Sequence, residues 1–174
     1  TNNPSPTYCQ FVARYHWLSE QLSLPNVLHT LHDINKQCPE YQAWREQLNI
    51  ESAVLAFPAS YLNSPSSMFG HTLFRLDPPT SDSQSKLLSY ALNYSADTSE
   101  KDGEITYAFK GIFGGYPGYF SLPLYHTKVK NYGRIENRDV WEYALNLTKP
   151  EINRLMEHVW ELKRTNFDYF FFKE

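Results

Sequence analysis

The apolar residues of this chain change their spacing near Ser52, and that change limits it to folds that join helices to a sheet. Before it, Tyr8, Phe11, Val12, Tyr15, Leu18 and Leu22 recur at three- and four-residue steps, the period of an amphipathic helix. Pro25 predicts the end of that helix. Residues 26–35 and 39–48 predict two shorter ones, with Pro39 in a first turn and Trp44 and Leu48 on one face. Beyond Ser52, short apolar runs bounded by Pro, Gly, Ser and Asn predict strands over 52–57, 70–76, 86–94, 105–113, 118–124 and 138–144. Thr148 and Glu151 have the spacing of a capping box, which opens a last helix with Ile152, Leu155, Met156, Val159, Trp160 and Leu162 as its buried stripe. The fold class is therefore α+β: a helical N-terminal segment over 1–50, packed on the mostly antiparallel sheet of a domain over 51–174.

Bulk properties remove several function classes. At 174 residues and 41% hydrophobic composition the chain can fill a core. Its net charge of -3, with no cluster of Lys and Arg among the aromatics, gives a phosphate backbone nothing to bind, so nucleic acid is not an expected partner. No run approaches the roughly 20 apolar residues that cross a bilayer. The chain starts at Thr1 rather than Met, which suggests that a leader, domain or anchor has been removed upstream. Cys9 and Cys38, the only two cysteines, fit either a disulfide in an oxidising compartment or a pair of buried free thiols. Neither has zinc-ligand spacing, His16, His29 and His32 read as surface or packing residues, and no metal or other cofactor is expected.

The chemistry-bearing stretch runs from Leu62 to Asp77, a serine-rich turn entering a strand at Gly70 and His71. Period-two alternation puts His71, Leu73 and Arg75 on one face. A histidine at a strand mouth, beside a glycine that admits a substrate, suits a general base, although a satisfied structural histidine fits the same pattern. On the next strand Ser89, Ala91, Asn93 and Ser95 alternate with Tyr90, Leu92 and Tyr94. If the two strands pair, Asn93 is placed to hold one imidazole nitrogen and fix its tautomer, while Ser89 and Ala91 make room for a packed helix. Ser66 and Ser67 lack the Gly-x-Ser-x-Gly elbow and read as turn residues or substrate hydrogen-bond donors. Residues 111–118 hold four of the seven glycines, which predicts a tight hairpin carrying Tyr116 and Tyr119, with Tyr116 a further candidate for substrate binding. Arg75, entering a core, needs a carboxylate, and Asp139, Glu142 or Glu136 is the expected partner. The run Phe167 to Phe172 predicts a tail that is unordered, pairs with another chain, or folds back over a vacant groove.

Four blocks of the chain resemble successive motifs of the Lnb N-terminal periplasmic domain family. They are 57–75, containing Asn-Ser-Pro-Ser-Ser-Met-Phe-Gly-His; 110–118, Lys-Gly-Ile-Phe-Gly-Gly-Tyr-Pro-Gly; 136–143, Glu-Asn-Arg-Asp-Val-Trp-Glu-Tyr; and 167–174, Phe-Asp-Tyr-Phe-Phe-Phe-Lys-Glu. The resemblance covers residues 50–174, and the first fifty resemble the helical segment that precedes this domain in Gram-negative members. It implies a permuted papain-like core similar to that of NlpC-like thiol enzymes, in which the tail block is followed by an Asn-Cys pair and a helix. The core in this chain is then incomplete, His71 is the base of a Cys-His pair whose cysteine lies downstream of Glu174, and the chain by itself is inactive. The implied activity is that of a cell-envelope acyltransferase or hydrolase acting on a lipoprotein, a lipid or a peptidoglycan amide. The implied location is periplasmic or otherwise extracytoplasmic, with membrane association in the full-length protein. A dimer through the C-terminal face, and a non-catalytic module that binds a ligand or partner, are the alternatives that the same residues leave open.

Overall fold

The computed structural model describes residues 6–22, 37–59, 72–79, 88–98, 102–130 and 139–172. The chain forms two compact units: 1–49 with 148–164, and 50–147 with 165–174.

The first unit is helical. A 3-10 turn, Thr7–Gln10, leads into α1, Val12–Leu22, and Pro39–Leu48 forms α2 with Pro39 in its first turn. The helix expected over 26–35, with Pro25, His29 and His32, lies outside the described residues. Lys149–Leu162 is the longest of the unit's described helices, called α5 in chain order. Its start is as expected: the backbone N–H of Thr148 donates to the Glu151 carboxylate at 2.7 Å, satisfying a donor that the first turn leaves unpaired. That bond holds the Glu151 carboxyl below its usual range. Cys9 and Cys38 form a disulfide with their Cα atoms 5.4 Å apart. Val12, Tyr41 and Trp160 close a core around it. The indole N–H of Trp160 donates to the Cys9 carbonyl at 2.7 Å, so the buried ring meets its one polar need inside the core. Glu161 accepts the backbone N–H of Arg14 at 2.9 Å and pairs with its guanidinium at 3.0 Å. A carboxylate at the first turn of α1 thereby meets both an unpaired N–H and the positive end of the helix dipole.

The second unit is a six-stranded antiparallel sheet, ordered β5-β1-β2-β3-β4-β6. Its strands are β1, Ser52–Pro58; β2, Leu73–Asp77; β3, Tyr90–Ala96; β4, Tyr116–Ser121; β5, Val140–Ala144; and β6, Asn166–Tyr169. Among the described residues two helices accompany them, α3 over Glu104–Phe113 and α4 over Tyr125–Lys130. One face of the sheet collects the small residues Ala56 and Ala91, which with Leu73 pack against Tyr125 of α4. Ala91 is fully buried, so the small side chains of β3 do make room for a helix.

Residues 105–113, expected as a strand, are a helix instead. Their aromatic and β-branched composition favours a strand, but Ile105, Phe109, Ile112 and Phe113 stand at steps of four, three and one, which is helical spacing. The glycines that follow are not a hairpin but the end of this helix. Gly114 takes the left-handed conformation, φ 79°, and the N–H of Gly115 bonds back to the Lys110 carbonyl at 2.7 Å. The aromatic tail forms β6 along β4 of the same chain. Its end is seated by the same glycines: a Cβ at Gly111 would lie 2.1 Å from the Phe171 ring, and one at Gly114 would lie 2.4 Å from the Phe170 ring.

Candidate functional site

Asn93 is the candidate catalytic residue that lies among the described ones. Strand pairing fixes its side: Arg75 pairs with Ala91, so Asn93, two residues on, shares their face of the sheet. Its side chain is 1% exposed, and its amide donates to the Ser95 hydroxyl at 3.2 Å and the Ser121 hydroxyl at 3.5 Å. The Ser121 hydroxyl in turn donates to the Asn93 backbone carbonyl at 3.4 Å. The carboxamide is thus fixed by one partner on its own strand and one on β4. Because β3 runs antiparallel to β2, the step from Leu92 to Asn93 leads toward the end of the sheet where β2 begins at Leu73. His71, Ser66 and Ser67 lie outside the described residues.

Arg75 sits on the same face as Asn93 and carries the ion pair expected of it. The guanidinium pairs with Glu142 of β5, one of the three carboxylates anticipated, and also with Asp77 through Nε at 2.8 Å and Nη2 at 3.1 Å. The Tyr125 ring lies 5.3 Å below it, and the Tyr125 hydroxyl donates to Glu142 at 2.6 Å. Burial, with the Glu142 carboxylate next to it, lifts the Tyr125 phenol well above its usual range. The cluster therefore holds its charges in place and leaves Arg75 engaged on two sides.

Tyr116 is on the other face. It opens β4, five residues before Ser121, the partner of Asn93, and strand alternation turns its side chain away from that site. It is 3% exposed, and its hydroxyl donates to Asp102 at 2.7 Å, where Lys110 also pairs at 3.0 Å. Burial and the Asp102 carboxylate push the Tyr116 phenol up to about 12. The same bonds from Tyr116 and Lys110 hold the Asp102 carboxyl below its ordinary range. This trio joins the two ends of α3 to the start of β4. Asp102 has no local sequence signal, because it falls in a polar segment that reads only as a loop.

Cys9 and Cys38, bonded to each other in the helical unit, offer no thiol for nucleophilic chemistry. No group of His, Cys, Asp and Glu able to hold a metal ion occurs among the described residues. No helix among them is long and apolar enough to cross a membrane.

Compared with known proteins, the chain has no significant match to a curated protein or to a solved structure. Its sequence does match a family model, that of the Lnb N-terminal periplasmic domain, over residues 40–174, beginning inside α2. That span is well over half of the chain, and the protein belongs to this extracytoplasmic family.

Proposed function

We propose that this domain is part of a cell-envelope thiol acyltransferase or hydrolase acting on a lipoprotein, a lipid or a cell-wall amide. In it His71 is the general base and Asn93 its orienting partner. The observation that supports this is the state of Asn93: a carboxamide 1% exposed, held by two serine hydroxyls, toward the end of the sheet where β2 begins. A side chain fixed in this way can hold an imidazole in one tautomer with little further loss of entropy. His71 precedes the first residue of β2 by two positions, the spacing that keeps a strand residue on the face of Leu73 and Arg75.

The chemistry then runs in two steps. The thiol gives its proton to His71 as its sulfur attacks the acyl carbonyl, and the imidazolium returns the proton to the departing alcohol or amine. A second amine or a water, deprotonated by the same imidazole, then takes the acyl group from sulfur, and the imidazolium so formed returns the proton to the departing thiolate. The Ser66 and Ser67 turn donates hydrogen bonds to the substrate. This reading requires a thiol other than Cys9 and Cys38, which are joined to each other.

A second reading, a non-catalytic module that binds a ligand or partner, draws on the outer side of α3. Ile105 is 87% exposed there, and Phe109, Ile112 and Phe113 follow it. Contiguous apolar surface of this kind marks interaction sites, a second copy of the chain included.

Incubating the full-length protein with a thiol-reactive acyl probe and weighing it intact separates the two. Labelling of one cysteine that falls at least about tenfold in His71→Ala, and by less in Asn93→Ala, is the result expected of an acyl enzyme. Labelling that is absent, or indifferent to His71, leaves the binding module as the function.

A further inference from the structure

The helical unit carries a groove that thiol chemistry does not use. It lies between α1 and α5 and encloses about 540 Å3. Sites for small molecules usually fall between roughly 300 and 1,000 Å3. Trp17 lines it with an indole that is 59% exposed, although α1 buries Val12, Ala13 and Ser19. Around the indole stand His16 and Glu20 from α1 and Asn153, Arg154 and His158 from α5.

The arginines along this groove already face carboxylates within the protein, and His16 is held by one as well. Glu157 meets His16 at 2.9 Å, Arg154 faces Glu20 at 3.5 Å, and Arg14 pairs with Glu161 at 3.0 Å. Among the described residues that line the groove, both arginines already face carboxylates, whereas capture of a phosphate or a carboxylate depends on arginines free to fork onto the anion. A lipid chain fits no better, because it would strip water from the polar rim without replacing its hydrogen bonds. What the walls offer is an exposed, rigid indole with His16, His158 and Asn153 in the same lining; the Asn153 amide oxygen accepts from Arg45 at 2.8 Å, which leaves its amide N–H groups to donate.

We infer that this groove binds a neutral oligosaccharide, with one pyranose ring stacked on Trp17. The C–H face of a pyranose is apolar and matches the indole. Its ring hydroxyls lie at the edge and each donate and accept, which suits the hydrogen-bonding side chains of His16, Asn153 and His158 in the same lining. The rigid indole gives up little conformational freedom on contact, so the stacked ring keeps most of its binding free energy.

Titration of the full chain with two neutral probes, chitotriose and maltotriose, tests this through indole fluorescence and amide shifts. Saturable binding of at least one, at about a millimolar dissociation constant, is expected. Trp17→Ala should weaken it at least about tenfold, and Trp17→Phe should keep part of it. Because Trp17 is 59% exposed, both variants are expected to melt where the parent does, which separates lost binding from lost folding. No saturable binding of either sugar, or equal binding by Trp17→Ala, overturns the inference. Binding of anionic phospholipid vesicles through Trp17, with no sugar bound, also overturns it and makes the groove a membrane contact.

Discussion

A guanidinium keeps its charge wherever it is placed, so Arg75, 5% exposed in the middle of a sheet, costs stability unless carboxylates are held beside it. Arg75 has two, and they were not equally visible in the sequence. Glu142 stood among three expected partners, and what selects it is the pairing of β5 with β1, a contact between distant stretches that no local pattern encodes. Asp77, two residues along on the same face, follows from strand alternation, yet it also reads as the first residue of a polar loop. Replacing Arg75 with Leu leaves these two carboxylates side by side without a cation. The expected cost is about 3 kcal/mol, at the low end for a broken buried pair because the Glu142 side chain is 34% exposed. Arg75→Lys keeps a charge but cannot fork to both partners, so it should fall between the two. Urea midpoints of the three proteins decide this, and an Arg75→Leu midpoint equal to that of the parent would show that the cluster adds nothing to stability.

At the level of elements, helical and strand segments were legible wherever period and composition agreed. β1, β2, β3 and β5 fall within a few residues of their expected positions, and the Thr148 capping box marks the start of α5. The failure at 105–113 spread to its neighbours. Taken as a strand, that segment turns 111–118 into a hairpin and puts Tyr116 at an accessible tip. As a helix it makes the same glycines a C-cap and buries Tyr116 against Asp102. Composition misled there because the packing of α3 depends on a ring about sixty residues away in sequence: Phe171, whose backbone N–H bonds to the Gly111 carbonyl at 2.8 Å. Gly111→Ala sets two effects against each other. Alanine favours the helix by about 1 kcal/mol, while its Cβ would sit 2.1 Å from the Phe171 ring. We expect the clash to win by about 1 kcal/mol, with faster hydrogen exchange at the Phe171 amide. In a Phe171→Ala background the clash is gone, and the same change should stabilise the protein. A Gly111→Ala protein with a higher melting point and an unchanged Phe171 amide would mean that the tail does not depend on this seat.

For the whole molecule, the main constraint is that one cross-link serves one of two units. The Cys9–Cys38 bond spans 29 positions of sequence and lies in the core with Tyr41 and Trp160, while no cysteine occurs in the sheet unit. An oxidised pair suits the extracytoplasmic family to which the chain belongs. Closing a loop of about 30 residues stabilises the folded state by about 3–4 kcal/mol, mainly by restricting the unfolded chain. Removing it with Cys9→Ala and Cys38→Ala together should therefore lower the stability of the helical unit by that order. If the two units unfold as separate cooperative bodies, amides of α1 and α2 will lose protection while those of β2 and β3 keep theirs. Native-state hydrogen exchange on the parent and the double variant reads both groups at once. An equal loss of protection in helices and sheet would make the molecule a single cooperative body, in which case the disulfide stabilises the Asn93 site as well.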